Sequence, residues 1–114
     1  MPNNDYYKLV YKILKYLYEC LKASEPIDIN NFRPGSKHFP VEEGYMDYIW
    51  RNLAAEGLIA GVDTIPILGA RRPSVKITSE LEITPKGIAY LEENSIMKKI
   101  EHTIKSVTEL ISII

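Results

Sequence analysis

Apolar residues recur at helical spacing near the start of the chain. Leu9, Val10, Ile13, Leu14, Leu17 and Leu21 share one face when stepped at about 100° per residue, and Lys8, Lys12, Lys15, Glu19 and Lys22 lie opposite. The spacing predicts a first helix over 5–22, with Asn3 or Asn4 as its cap and Asp5 in the turn where the helix dipole favours negative charge. Tyr6 projects toward the apolar side, while Tyr7, Tyr11, Tyr16 and Tyr18 fall on the flanks, where a ring packs and its hydroxyl stays wet. Ser24, Glu25 and Pro26 stop this helix, and Asp28 stands where it would cap a very short one over 29–32, which Pro34 and Gly35 end.

A third helix is expected from Pro40, a residue suited to the first helical position, to about Glu56. Glu42 and Glu43 fill its first turn, and Val41, Tyr45, Tyr48, Ile49 and Leu53 supply its apolar stripe, which puts Leu53 in the core. Gly57 fits the left-handed position after its end, with Leu58 folding back over the last turn. Residues 58–67 are β-branched and glycine-punctuated, 69–73 read as a turn, and 75–83 alternate as a returning strand, so two antiparallel strands with a basic tip result. Thr84 and Pro85 form a cap and first-position pair for a helix over 86–93, with Gly87 tolerated near its start. Beyond Asn94 and Ser95, Met97, Ile100, Ile104, Val107, Ile111 and Ile114 recur at alternating steps of three and four, the seam pattern of a coiled coil. The expected fold is α+β and mostly α: a winged helix-turn-helix domain over 1–95 with an additional C-terminal helix over 96–114, part of the same compact domain and the expected homodimer interface.

Two phrases carry a family resemblance. Asn52-Leu53-Ala54-Ala55-Glu56-Gly57-Leu58-Ile59 looks like the end of a winged-helix third helix, and Leu81-Glu82-Ile83-Thr84-Pro85-Lys86-Gly87-Ile88-Ala89-Tyr90-Leu91 looks like the phrase that closes a wing and opens the next helix. With the first helix and the ending Glu92-Glu93-Asn94-Ser95-Ile96-Met97-Lys98-Lys99, the chain resembles the YjcQ family of small firmicute and prophage proteins, over nearly its full length apart from longer loops at 31–39 and 66–72. The resemblance implies a winged-helix fold and a phage or mobile-element setting. It brings no catalytic or ligand residues to carry over.

At 114 residues, 46% apolar and 25% charged, the chain matches one globular domain able to bury a modest core without metals or cross-links. Its one cysteine, Cys20, sits at the edge of the first helix's apolar face as a small core residue; with no second cysteine to pair, a reducing, cytoplasmic compartment is expected. Neither a secretory leader nor an apolar run of about 18 residues is present, so no membrane association is expected. Catalytic groups are few. His38 reads as an exposed loop residue, His102 lies on the polar side of the last helix, and Glu42 and Glu43 point about 100° apart on a helix, which does not make an acid–base pair. Neither an enzyme nor a cofactor nor a metal site is expected, since HExxH, GxSxG and phosphate-loop patterns are missing.

Nucleic acid supplies the stronger candidate chemistry. Arg71, Arg72 and Lys76 in the wing suit a narrow groove or the phosphates, Arg33, Lys37 and His38 would lie along the backbone, and Arg51 and Asn52 on the third helix match guanine and adenine edges. Against this, the net charge is −1 with a pI near 6.1, and the third helix sets Glu42, Glu43, Asp47 and Glu56 against Arg51 alone. The lysine stripe on the first helix reads as a solvated face and Trp50 as a core anchor. Two functions stay open: a DNA-binding regulator acting as a homodimer on double-stranded DNA, and a protein-interaction module whose acidic third helix repels nucleic acid.

Overall fold

Helix α1 (Asp5–Ala23) buries Leu9, Val10, Ile13, Leu14, Leu17 and Cys20, the face its periodicity marks. These and the following observations come from a computed structural model, which describes residues 5–69 and 71–93. The caps at Asn3 and Asn4, His102 and the seam from Met97 to Ile114 lie outside the described residues. Two positions differ from the expected pattern, Tyr11 from the flank and Leu21 from the apolar face. Tyr11 is buried and its hydroxyl oxygen is closed off from solvent, because α1 is packed by other elements on more than one side. Leu21 is exposed, because the last turn of α1 and residues 24–26 after it run beyond that cover. Ser24 ends α1 at φ 56°, with its N–H donating to the Leu21 carbonyl and that of Glu25 donating to Cys20, the paired bonds of a Schellman cap.

A 3₁₀ turn (Ile29–Phe32) follows, its Asn30 N–H held by the Asp28 carboxylate at 3.0 Å as the sequence leads one to expect. Phe32 is its anchor. The ring meets Tyr16, Phe39 and Trp50 edge-on at centroid distances of 5.4, 5.6 and 5.2 Å, and the Tyr16 hydroxyl accepts from the Asp28 N–H and the Asn31 amide.

Helix α2 (Glu43–Ala55) begins later than Pro40. The Phe39 carbonyl accepts from Gly35 N–H at 2.9 Å and from Val41 N–H at 2.8 Å, so a three-residue turn around Pro40 holds the chain out of the helix until Glu42, which adds no side-chain cap bond. The apolar stripe is also rotated from the expected one. Met46, Ile49, Trp50 and Leu53 are buried within one arc of the helix, Tyr45 is half-buried, and Tyr48 is exposed on the opposite side. Leu53 sits in the core as expected. At the C-terminus Gly57 takes φ 77°, donates to the Ala54 carbonyl at 3.0 Å, and lets Leu58 N–H reach the Leu53 carbonyl at 3.0 Å.

Strands β1 (Ile59–Ile65) and β2 (Ser74–Ile83) pair antiparallel, shorter at the tip than the expected 58–67. Ala60 pairs with Glu82 but Val62 pairs with Ile77, so residues 78–81 bulge opposite Gly61, whose φ of 87° and close approach to the Glu80–Leu81 peptide exclude a side chain. Helix α3 (Pro85–Glu93) is capped by Thr84, whose hydroxyl accepts from Gly87 N–H at 3.0 Å and donates to the Gly57 carbonyl at 2.6 Å. One hydroxyl thereby joins the end of α2 to the start of α3. The chain is α+β and mostly helical, with the helix, short helix, helix, strand, strand, helix order of a winged-helix arrangement. Among the described residues no helix is long and apolar enough to cross a membrane.

Candidate nucleic-acid interface

The wing concentrates positive charge because of where its carboxylates stop. Residues 64–79 hold Arg71, Arg72 and Lys76 and not one Asp or Glu, although the whole chain is net −1. Arg71 and Arg72 are exposed on the loop between β1 and β2, and among the described residues no ion pair holds either. Lys76 is exposed too, but its register partner across the ladder is Asp63, which offsets its charge locally. Arg72 reaches back toward α2, where it lines an open cleft of about 470 Å³ with Tyr6, Gly44, Tyr45 and Tyr48.

The outward face of α2 is less suited to reading bases than its residue types imply. Arg51 is half-buried, with its guanidinium 5.9 Å from the centre of the Tyr48 ring. Asp47, one turn before it, is held above its ordinary carboxyl range by burial and then by the Glu43 charge, with Arg51 pulling the other way. Asn52 is half-buried and donates its side-chain amide to the Tyr48 carbonyl of its own helix at 2.8 Å. Both expected base readers therefore have partners within α2.

The remaining cations are dispersed. Arg33 is exposed and lines a separate cavity of about 270 Å³ beside Glu43, Asp47 and Trp50, between the 3₁₀ turn, α2 and β2. Lys37 is exposed in the preceding loop. His38 is half-buried rather than exposed, its Nε2 closed off from solvent and its carbonyl accepting from Lys12 Nζ at 3.0 Å, because Phe39 draws the loop into the core. Desolvation, then Lys12 and Lys37, hold its imidazole below the usual range, which disfavours the charged form that a phosphate contact would use. On α1, Lys15 and Lys22 each lie 3.3 Å from the Glu19 carboxylate, as befits a solvated ion-pairing face.

A tyrosine surface also forms that the helical patterning did not reveal. Tyr6 meets Tyr7 at 5.3 Å and Tyr48 at 6.1 Å edge-on, and Tyr45 stacks on Tyr48 at 6.3 Å. Burial, then the Glu56 carboxylate, pushes Tyr6 up to about 12, so its phenol stays protonated. The abundance of tyrosine, 8 in the chain, was the available signal, but these rings come from two helices that only the fold brings together. Cys20 is buried, and among the described residues no three His, Cys, Asp or Glu side chains are grouped to hold a metal.

Residues 11–110 match the family described as YjcQ protein. The chain is also similar to a protein of known structure, the YjcQ protein from Bacillus subtilis solved by solution NMR, with 31% identity over 77% of this chain and 94% of that one and a TM-score of 0.42. No curated protein matches it.

Proposed function

The chain belongs to the YjcQ family, and from the charge of its wing we propose that it is a cytoplasmic DNA-binding protein with a binding rather than catalytic role, engaging the duplex chiefly through the wing. The observation that carries this reading is the pair Arg71 and Arg72, exposed in a stretch, 64–79, that holds no carboxylate of its own and whose third cation, Lys76, is set opposite Asp63. Phosphate neutralisation supplies most non-specific affinity for DNA, and it depends on local rather than net charge. Because Arg51 and Asn52 are engaged within α2, that helix lies near the duplex as support and contributes little base discrimination.

Replacing Arg71 and Arg72 together with alanine should leave stability within about 0.5 kcal/mol, the usual range for exposed changes. DNA affinity should fall, and the slope of log K against log salt should flatten by nearly two, at about 0.9 for each phosphate no longer neutralised. Titration of a labelled duplex at several salt concentrations reads both, and unchanged affinity and slope would remove the wing from the reading. The exposed Tyr48 beside Tyr6 and Tyr45, flanked by Glu43 and Asp47, favours a second reading, a protein-interaction module. Under that reading the intact protein shows no salt-dependent retention on DNA, and Tyr48→Ala abolishes partner capture.

Regulatory DNA binding also asks for two wings, and the apolar seam at Met97, Ile100, Ile104, Val107, Ile111 and Ile114 would supply them by pairing two copies. Sedimentation at micromolar concentration should return twice the 13.0 kDa chain mass, with Ile104→Asp shifting it to the monomer; a monomeric parent would refute the pairing.

A further inference from the structure

We propose that the tip of the wing, Ile67 and Leu68, inserts between base pairs from the minor groove and kinks the duplex; the inference rests on the wing-led DNA binding proposed above. Strand β1 ends at Ile65 and β2 begins at Ser74, so Pro66, Ile67, Leu68 and Gly69 lie outside the ladder. At its tip Leu68 is 104% exposed and Ile67 50%, with Pro66 before them and Gly69 after them at φ 86°, where a side chain would meet no atom within 4 Å. A loop that only closes a hairpin is ordinarily polar, because aliphatic side chains held in water gain nothing there.

The neighbouring charge selects the occupant. Arg71 and Arg72 follow Leu68 by three and four residues, and the stretch has no carboxylate to repel a polyanion. An aliphatic wedge beside arginines has the composition with which minor-groove proteins unstack a base step: burying the wedge and neutralising nearby phosphates offset an unstacking cost of a few kcal/mol. An anionic lipid surface shares the charge requirement, but the hydrophobic term is too small for it. A whole myristoyl chain gives only marginal membrane binding, and Ile67 and Leu68 together offer about eight side-chain carbons. The duplex needs far less, because its two base pairs close on the wedge from both sides. Pyrimidine–purine steps unstack most readily, so a TA step should be preferred over an A-tract, which is stiff.

The test uses the full chain and two end-labelled duplexes of equal length, one with 2-aminopurine in a central TA step and one with a central A-tract. The wild type should raise 2-aminopurine emission and end-to-end energy transfer on the TA duplex and bind the A-tract duplex more weakly. The Ile67→Ser/Leu68→Ser variant, altered only at exposed positions and checked for an unchanged melting curve, should bind the TA duplex about tenfold more weakly, a loss of about 1.4 kcal/mol, with the same salt slope and neither signal. Wild-type binding with no change in emission or energy transfer would overturn the wedge and leave the wing reading standing. A loss of all salt-dependent DNA binding in the wild type would overturn both. Retention on phosphatidylserine vesicles that the variant loses, without a 2-aminopurine response to DNA, would assign the tip to a lipid surface and overturn the proposal.

Discussion

Trp50→Ala should lower the unfolding free energy by about 3–5 kcal/mol, a large share of the roughly 5–15 kcal/mol a domain of this kind holds. The indole is 3% exposed and meets Phe32 at 5.2 Å with the rings at 90°, inside the aromatic cluster that Phe39 and Tyr16 complete. Truncation removes that packing and leaves a void beside the existing cavity that Phe32, Met46 and Trp50 already line, so water can enter where the core was dry. Because Phe32 is the buried residue of the 3₁₀ turn, the loss should spread to that turn, and Trp50→Phe should recover much of it. Urea unfolding followed by circular dichroism measures the change as a lower midpoint at constant slope. A cost below about 1 kcal/mol would mean that the indole serves a surface and not the core.

Gly87→Ala should destabilise by about 3 kcal/mol, the upper end for overpacking, although helix propensity alone favours alanine by about 1 kcal/mol. A Cβ at Gly87 would fall on the Leu58 carbonyl oxygen and within 2.7 Å of Ile83 Cγ1. The first of these is backbone and cannot rotate away. That carbonyl also accepts Thr84 N–H at 3.1 Å, so relieving the clash moves α3 off the α2–β1 junction and strains the Thr84 hydroxyl bond to Gly57. The sign of the effect separates the two arguments: melting temperatures equal to or above the parent's would mean that α3 is not held against Leu58. Amide exchange should rise first in α3, the element that must move.

The candidate site divides along the same line as the core. Arg71 and Arg72 were legible from their position in a glycine-bounded loop, since a charge in a turn has no core to enter and stays on the surface. Arg51 and Asn52 were not, because a residue type matched to a base edge says nothing about which neighbour already holds its donors; here Tyr48 supplies both its ring and its carbonyl. Lys76 reads as a free cation until the register sets it opposite Asp63.

What the sequence determined by itself is local. The periodicity of α1, the Asp28 and Thr84 caps, the left-handed Gly57 with Leu58 behind it, and the order of elements follow from interactions within a few residues, and all appear in the structure. What only the tertiary structure decided involves groups far apart in the chain. The turn at Pro40 that delays α2 exists because Phe39 is drawn into the core, and the rotation of α2 that turns Tyr48 outward and Met46 inward depends on what the rest of the core offers as a packing surface. Gly87 looked merely tolerated because its true constraint, the Leu58 carbonyl, stands 29 residues away and is placed there by the Thr84–Gly57 bond. A helix face can be read from spacing, but its rotation against a neighbour is fixed by shape and volume on both sides at once, and those become defined only when the elements meet.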